Sequence, residues 1–203
     1  MDKCVIGIDI DGTINEAHKW DIIHGREFCK EYNIHNGEKL NECSVKEMFN
    51  LTDEQYKSYL DKYFQWNVKH NEVKMGAAET IREWARAGHI IKIITARDPL
   101  FSGSYSGQMM VEDTGHWFAK HNIPYHDLIF GCKDKAEVCR ENDVDIFIDD
   151  DPRHIIPVSK LKGSTVLMAG QSYNEYLIGL KNATWCNDWL EIRQVVYELT
   201  NMY

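Results

Sequence analysis

The sequence lacks the features that mark membrane-spanning, secreted and zinc-binding proteins. Among its 203 residues, no apolar run approaches the roughly 20 residues that cross a bilayer. The apolar stretch in residues 1–7 is too short for a signal peptide, and acidic residues follow it at once. The six cysteines include no C-x-x-C pair, so their spacing does not indicate a zinc site. We therefore expect a cytoplasmic protein with reduced cysteines.

Positive charge is also scarce. The chain has 23 Lys and Arg against 32 Asp and Glu, which gives a net charge of −9. No basic run is present that could neutralise the phosphates of a nucleic-acid backbone. A small anionic substrate is still compatible with this charge, because distant charges are screened beyond about 8 Å at physiological salt. We therefore expect neither a nucleic-acid polymer nor a membrane as partner, and a homodimer is left open.

Apolar segments of strand length alternate with helical patterns over most of the chain. Strands are predicted at residues 4–10, 90–94, 128–130, 145–148 and 165–168. Helices are predicted at 77–87, around 114–121, at 135–142 and around 189–199, with a Gly- and Ser-rich loop at 98–111. This alternation predicts an α/β fold with a mostly parallel sheet and right-handed crossovers. Ligands of such sheets bind beyond the carboxyl ends of the strands.

Residues 15 to about 75 differ from this pattern because they are helical and rich in aromatic residues. Capping boxes occur at 44–47 and 52–55. After the second box, apolar residues recur with the spacing of an amphipathic helix. We interpret residues 15–75 as a small helical cap, inserted after the first strand of an α/β core made of residues 1–14 and 76–203. The chain length fits one domain with such an insertion.

Two carboxylates follow the first strand. Asp9 can attack phosphorus to form an aspartyl-phosphate, which splits one hard displacement into two easier ones. Asp11 can protonate the leaving oxygen and later activate water, as general acid and then general base. Gly12 allows a sharp turn after this pair, and Thr13 can stabilise the turn through its hydroxyl. The segment therefore predicts a phosphoryl-transfer site.

Two more carboxylates, Asp149 and Asp150, follow a later strand and are expected to meet the first pair. Two carboxylates about 5 Å apart repel by roughly 3 kcal/mol at an effective dielectric of 20, so the cluster needs a cation. Mg²⁺ suits an all-oxygen site completed by water and substrate phosphate. Thr95 and Lys135 can supply the hydrogen bonds and positive charge that the phosphoryl oxygens require.

Four segments resemble, in order, the motifs of the haloacid dehalogenase superfamily. They are D-I-D-G-T at 9–13, I-I-T-A-R at 93–97, Lys135 and I-D-D-D at 148–151. The paired Asp residues of the first motif resemble the phosphatase branch. The resemblance implies a Rossmann-like three-layer α/β/α core and a Mg²⁺-dependent phosphomonoesterase that forms an aspartyl-phosphate.

The resemblance also implies roles for individual residues. Asp9 is expected as nucleophile and metal ligand, and Asp11 as acid/base whose backbone carbonyl also binds the metal. Thr95, Ala96 and Lys135 are expected to bind substrate. Asp150 is expected as the direct side-chain metal ligand and Asp149 as a water-mediated one, with the reverse order left open.

Several residues have two interpretations. Lys133 is an alternative to Lys135, although Lys135 begins the helical pattern. Asp151 is more simply a helix N-cap before Pro152 than a metal ligand. Arg97 could bind phosphate or lie on the surface. Five aromatic residues of the insertion could stack on a nucleobase, although core packing is the simpler interpretation: Trp20, Phe49, Tyr63, Phe64 and Trp66.

The insertion and the run at residues 76–89 resemble the 5′(3′)-deoxyribonucleotidases and their bacterial relatives, which implies a nucleotide substrate. The segment Thr95-Ala96-Arg97 differs from the T-S-P that those nucleotidases tend to have. Alternatives are a phosphatase of another metabolite such as a sugar phosphate, a non-catalytic module that binds metal or phosphate, and a phosphotransferase or mutase.

Overall fold

A six-stranded parallel sheet forms the centre of the protein in a computed structural model that describes residues 3–100 and 105–200. Its strands are β1 (Val5–Ile8), β2 (Ile90–Ile94), β3 (Asp127–Ile129), β4 (Ile146–Asp149), β5 (Thr165–Ala169) and β6 (Ala183–Cys186). Their order across the sheet is β3-β2-β1-β4-β5-β6, and every neighbouring pair is parallel. The predicted α/β fold with a parallel sheet is confirmed.

Eight α-helices accompany these strands in the described part of the chain. They are α1 (Ala17–Glu31), α2 (Val45–Met48), α3 (Asp53–His70), α4 (Ala77–Ala87), α5 (Gly107–Lys120), α6 (Lys135–Glu141), α7 (Pro152–Val158) and α8 (Trp189–Thr200). Within the described ranges, no helix combines the length and apolar character needed to traverse a membrane.

The central strands are apolar because both of their faces are covered. Ile8 of β1 pairs in register with Ile93 of β2 on one side and Ile148 of β4 on the other, and all three side chains are fully buried. One face of the sheet packs against α4 and α8, whose Trp84 and Trp189 rings are in contact. Continuous apolar strands of this kind are typical of parallel sheets buried on both faces.

The strand order reverses between β1 and β4. Asp9 follows β1 directly, and Asp149 ends β4. Because β1 and β4 are parallel neighbours, their carboxyl ends open at the same edge of the sheet. A crevice at such a reversal is the usual ligand site of an open parallel sheet.

The helices between β1 and α4 have an apolar cluster of their own. Phe28, Met48, Phe49 and Tyr59 are buried in it. The predicted capping box at the start of α3 is present with both of its hydrogen bonds. At the start of α2, Ser44 caps the helix by accepting from the Glu47 amide, and its hydroxyl donates to the Glu47 carboxylate. These contacts support the proposal that residues 15–75 form a cap on the core.

Some predicted boundaries are wrong. The helix expected from about residue 114 begins at Gly107, because the Ser106 side chain accepts a hydrogen bond from the Met109 amide and caps it. The predicted loop at 98–111 is therefore shorter, and its residues 101–104 lie outside the described residues. Strand β6 is absent from the prediction, and helix α7 was predicted only through its N-cap. Asp151 does cap α7, as predicted, by accepting from the Arg153 amide.

Candidate active site

Three carboxylates from two neighbouring strands meet at the carboxyl edge of the sheet. One oxygen each from Asp9, Asp149 and Asp150 lies within 4.8 Å of the others, and all three side chains are buried. The β1–β4 register causes this arrangement, since Ile8 is opposite Ile148 and the chains continue into the acidic residues together. Three of the four predicted metal ligands are thus brought together.

Lys135 lies among these carboxylates. Its Nζ donates to Asp9 Oδ1 at 2.5 Å and to Asp149 Oδ2 at 2.8 Å, and the residue is only 2% exposed. Burial would lower the pKa of Lys135, but the neighbouring charges of Asp149 and Asp9 raise it above its usual value. Lys133 instead has an exposed side chain and faces Asp98 at 3.5 Å. The structure therefore places Lys135, not its neighbour, in the carboxylate cluster.

The carboxylate cluster carries more negative charge than Lys135 can balance. Burial raises the pKa of Asp9 well above its usual value, and Asp149 and Asp150 add to this effect against the lowering by Lys135. The pKa of Asp150 is also raised, mainly by burial and by Asp149. A divalent cation would offset this repulsion and keep the oxygens ionised. The all-oxygen donor set fits a hard cation of this kind.

The turn after Asp9 fixes the position of Asp150. Gly12 has a φ of +82°, and a Cβ at this position would come 2.2 Å from Asp150 Oδ2. Thr13 Oγ1 donates to Asp150 Oδ1 at 2.7 Å, and the Tyr173 hydroxyl donates to Oδ2. Only glycine allows this backbone to approach the carboxylate so closely.

Asp11 lies apart from the carboxylate cluster and is paired with Arg97. The Arg97 Nε donates to Asp11 Oδ2 and its Nη2 to Oδ1, both at 2.7 Å. Asn15 Nδ2 also donates to Oδ1 at 2.9 Å. Burial alone would raise the pKa of Asp11, but the charge and hydrogen bonds of Arg97 lower it below its usual value. Arg97 is 5% exposed, so its interpretation as a surface residue is wrong.

Thr95 and Ala96 follow β2 and line the same cavity as Asp9 and Lys135. The Thr95 Oγ1 accepts a hydrogen bond from the Arg97 amide at 3.2 Å. Its hydroxyl proton is therefore left to donate to another acceptor. These two residues are placed where the sequence predicted them, beside the carboxylates.

The cavity extends from the carboxylates to the helical insertion. Of the five candidate stacking residues, only Phe64 lines it. Phe49 and Tyr63 are buried in the apolar cluster of the insertion, while Trp20 and Trp66 contact each other. Three tyrosines that the sequence analysis did not single out also line the cavity, namely Tyr56, Tyr59 and Tyr173.

Sequence reasoning named Arg97 but missed its pairing with Asp11, and it missed Tyr173 altogether. The Arg97–Asp11 pair joins positions 86 residues apart, and the Tyr173–Asp150 contact joins positions 23 apart. A weak signal existed for Arg97, since it follows Thr95 by two residues at a strand end. No local pattern marks Tyr173.

Comparison with known proteins finds relatives with similar sequences and proteins with similar structures. No protein-family model matches the chain. It is 24% identical to a Halalkalibacterium halodurans protein named "Putative nucleotidase BH1399", over 95% of this chain and 92% of that protein. It is 34% identical to a Chlorobaculum tepidum protein named "Putative 5'(3')-deoxyribonucleotidase", over 54% of this chain and 50% of that protein.

In structure, the fold is similar to a Streptococcus pneumoniae protein described as "Hydrolase, haloacid dehalogenase-like family protein SP0104". The TM-score is 0.68 at 13% identity, with 96% of this chain and 98% of that chain covered. The chain therefore has a haloacid dehalogenase-like fold. With this fold, the four motif segments predicted from the sequence meet at one edge of the sheet and line or border one cavity.

Proposed function

We propose that the protein hydrolyses phosphate monoesters of small molecules, with Asp9 as the covalent nucleophile. The observation that carries this proposal is the position of Asp9, which lines the cavity, lies within the carboxylate cluster and accepts a hydrogen bond from Lys135. A carboxylate held by a buried ammonium group is oriented for attack, and the positive charge of that group offsets the repulsion between the carboxylate and the phosphate.

The proposed reaction has two displacements. An Asp9 carboxylate oxygen forms a bond to phosphorus, the bond from phosphorus to the substrate oxygen breaks, and the leaving oxygen takes a proton from Asp11. Water then attacks the phosphorus of the aspartyl-phosphate and gives its proton to Asp11, which releases phosphate and restores Asp9. Lys135 and the Thr95 hydroxyl neutralise charge on the phosphoryl oxygens throughout.

Asp11 requires a change before it can act as an acid. Arg97 and Asn15 occupy its carboxylate oxygens and hold it ionised. We propose that the incoming phosphoryl group attracts the guanidinium and loosens this pair. The pKa of Asp11 then rises, which allows it to carry the proton that the leaving oxygen needs.

We propose Mg²⁺ as the metal. It would be held by Asp9, the Asp11 backbone carbonyl and the pair at the end of β4. In this pair, Asp150 would be the direct side-chain ligand and Asp149 would act through water. When bound, the metal supplies positive charge that neutralises the carboxylate cluster and polarises the phosphoryl group. The contacts of the two residues support this division. Asp149 is already paired with the Lys135 ammonium, whereas the Asp150 oxygens accept from the neutral hydroxyls of Thr13 and Tyr173.

We propose a nucleotide as the substrate class, hydrolysed in the cytoplasm. Two observations support this choice: the sequence relatives carry nucleotidase names, and Tyr56, Tyr59 and Phe64 line the part of the cavity near the insertion. A sugar phosphate is the second candidate, because the cavity also has polar walls. A non-catalytic binding module is disfavoured, since binding alone requires no paired nucleophile and acid.

Phosphate release tests the proposal directly. The wild-type protein with Mg²⁺ is assayed against nucleoside monophosphates, sugar phosphates and p-nitrophenyl phosphate. We expect Asp9→Asn to abolish turnover of every substrate that the wild type cleaves, while the exposed Asp61→Asn on α3 retains it. Equal activity of wild type and Asp9→Asn would refute the nucleophile. Cleavage of sugar phosphates but of no nucleotide would refute the substrate class and keep the hydrolase.

A further inference from the structure

A polar patch lies in the cavity between the catalytic carboxylates and the aromatic residues. Its first member is Asp21 of α1, and only one of its two carboxylate oxygens accepts hydrogen bonds from described residues. Tyr59 Oη donates to Asp21 Oδ1 at 2.9 Å, and Asn67 Nδ2 donates to the same oxygen at 3.2 Å. Asn67 is itself oriented by His24, whose Nδ1 lies 3.0 Å from Asn67 Oδ1. Asp21 lines the cavity, and among the described residues its Oδ2 has no hydrogen-bond partner.

Asn71 is the second member and is an independent sign of a ligand. It is only 1% exposed and lines the same cavity, yet neither Oδ1 nor Nδ2 has a partner in the described part of the chain. Its backbone is held on both sides, because its amide donates to Asn67 O and its carbonyl accepts from Trp117 Nε1. A buried amide without partners is costly unless a ligand satisfies it.

The two members share one wall of the cavity. Asn71 follows Asn67 by four residues at the end of α3, and residues with this spacing lie on the same face of a helix. Asn67 in turn contacts Asp21. Among the described residues, the cavity lining therefore includes an Asp21 oxygen and an Asn71 amide that have no hydrogen-bond partner.

This wall belongs to the same cavity as Asp11, the residue proposed to protonate the leaving oxygen. Burial is the main reason that the pKa of Asp21 is raised, and the negative charge of Asp11 raises it further. Asp21 and Asp11 both line the cavity, so one bound substrate can contact both carboxylates. A group contacting Asp21 would belong to the part of the substrate directly attached to the leaving oxygen.

We propose that Asp21 and Asn71 determine specificity by binding hydroxyl groups of the sugar next to the scissile phosphoester. This inference rests on the proposed nucleotide phosphatase function and names the part of the substrate that the site recognises. An acidic side chain is a known acceptor for ribose hydroxyls. A second phosphate is excluded from this wall by repulsion from Asp11 and Asp21, and an apolar group would leave Asn71 without partners.

Binding to a hydrolysis-deficient protein tests the inference separately from turnover. Asp9→Asn removes the nucleophilic charge without removing side-chain volume and is titrated by calorimetry at pH 8 with Mg²⁺. The ligands are 5′-AMP, 2′-deoxy-5′-AMP and 2′,3′-dideoxy-5′-AMP. We expect the dissociation constant to rise roughly tenfold or more from the first to the last, because each lost hydroxyl leaves a buried group unpaired.

Second variants identify the residues responsible. In Asp21→Asn, the Tyr59 and Asn67 donors select the amide oxygen and leave a donor facing the cavity, so the charged acceptor is lost. We expect the dideoxy-to-ribo ratio of dissociation constants to fall toward one in Asp9→Asn/Asp21→Asn and in Asp9→Asn/Asn71→Leu. The matched control Asp9→Asn/Asp61→Asn removes the same charge from an exposed site and should keep the ratio.

Several outcomes overturn the inference. They are equal binding of the three nucleotides, binding of none, or an unchanged ratio in both Asp21→Asn and Asn71→Leu. Circular dichroism verifies that each variant is folded. If either the Asp21→Asn or the Asn71→Leu variant is unfolded, the ratio measured in the folded one tests the inference. Phosphate release by the wild type separates the two claims. Hydroxyl-dependent binding without turnover refutes the proposed function only, whereas turnover with no hydroxyl dependence refutes this inference only.

Discussion

Arg97 forms a two-point ion pair with Asp11, with its Nε and Nη2 each 2.7 Å from a different carboxylate oxygen. The guanidinium is also held from behind, because its Nη1 donates to Thr114 Oγ1 at 3.0 Å. Bidentate pairs of this kind are stronger and better oriented than single contacts. Arg97 thus sets both the position and the protonation of the proposed acid/base.

Replacing Arg97 should change the pH dependence of the reaction. In Arg97→Met we expect the pKa of Asp11 to rise, because the opposite charge and the hydrogen bonds that lower it are lost. The limb of the kcat/KM profile at which Asp11 loses its proton should move to higher pH by a similar amount. Arg140→Met removes an exposed arginine paired with Glu137 and should leave the profile in place. An unshifted limb in Arg97→Met would show that Asp11 is not the group titrating.

Removing Lys135 should destabilise the fold as well as abolish activity. Lys135→Met leaves Asp9 and Asp149 buried with no cation, and loss of one partner of a buried ion pair costs about 3–5 kcal/mol. Urea unfolding without divalent metal measures this change in the free energy of unfolding. Lys133→Met, at an exposed position, should change it by less than about 0.5 kcal/mol. Equal effects of the two variants would contradict the buried ion-pair network.

Mg²⁺ should stabilise the protein through the carboxylate cluster. At a concentration 100 times the dissociation constant, a ligand bound only by the folded state adds about 2.7 kcal/mol of stability. We expect Mg²⁺ to raise the Tm of the wild type and EDTA to reverse the rise. The rise should be lost in Asp150→Asn. Asp134→Asn keeps its role as N-cap of α6 and should keep the full response, so loss of the response in both variants would argue against the site.

Asp21 should make stability depend on pH in a defined direction. Burial first, and then the charge of Asp11, raise the pKa of Asp21 from its ordinary value of 3.8 to about 7, while Tyr59 and Asn67 oppose this by hydrogen bonding. The folded state then binds the proton more tightly than the unfolded state. The stability that protonated Asp21 contributes to the folded state is fully present below about pH 4 and is lost as pH rises to about 7.

The variant Asp21→Asn removes this titration. Relative to wild type, its free energy of unfolding should therefore increase as pH rises from about 4 to 7 and level off above about 8. A span of roughly three units corresponds to at most about 4 kcal/mol. Urea unfolding of the two proteins across this range measures the difference, with Asp61→Asn as the control. A constant difference at all pH values would mean that Asp21 does not titrate in this range.

The position of the carboxylate cluster follows from the order of residues along the chain. An apolar strand that ends in an acidic residue must bring that residue to the carboxyl edge of a parallel sheet, as β1 does for Asp9 and β4 for Asp149. Lys135 was identifiable for a related reason, since it begins the helix that precedes β4. Local residue patterns also predicted the Ser44 cap of α2 and the capping box of α3.

The contacts across the cavity were decided only by the tertiary structure. Arg97 and Asp11, or Asp21 and Asn67, are joined by hydrogen bonds between elements whose packing no local pattern encodes. The free amide of Asn71 is likewise visible only when its buried surroundings are known. The sequence by itself determined which groups could perform the chemistry, because strand and helix patterns are local and show which residues follow a strand end. Folding determined which groups pair and which stay open for a ligand, because burial and hydrogen bonding join distant parts of the chain.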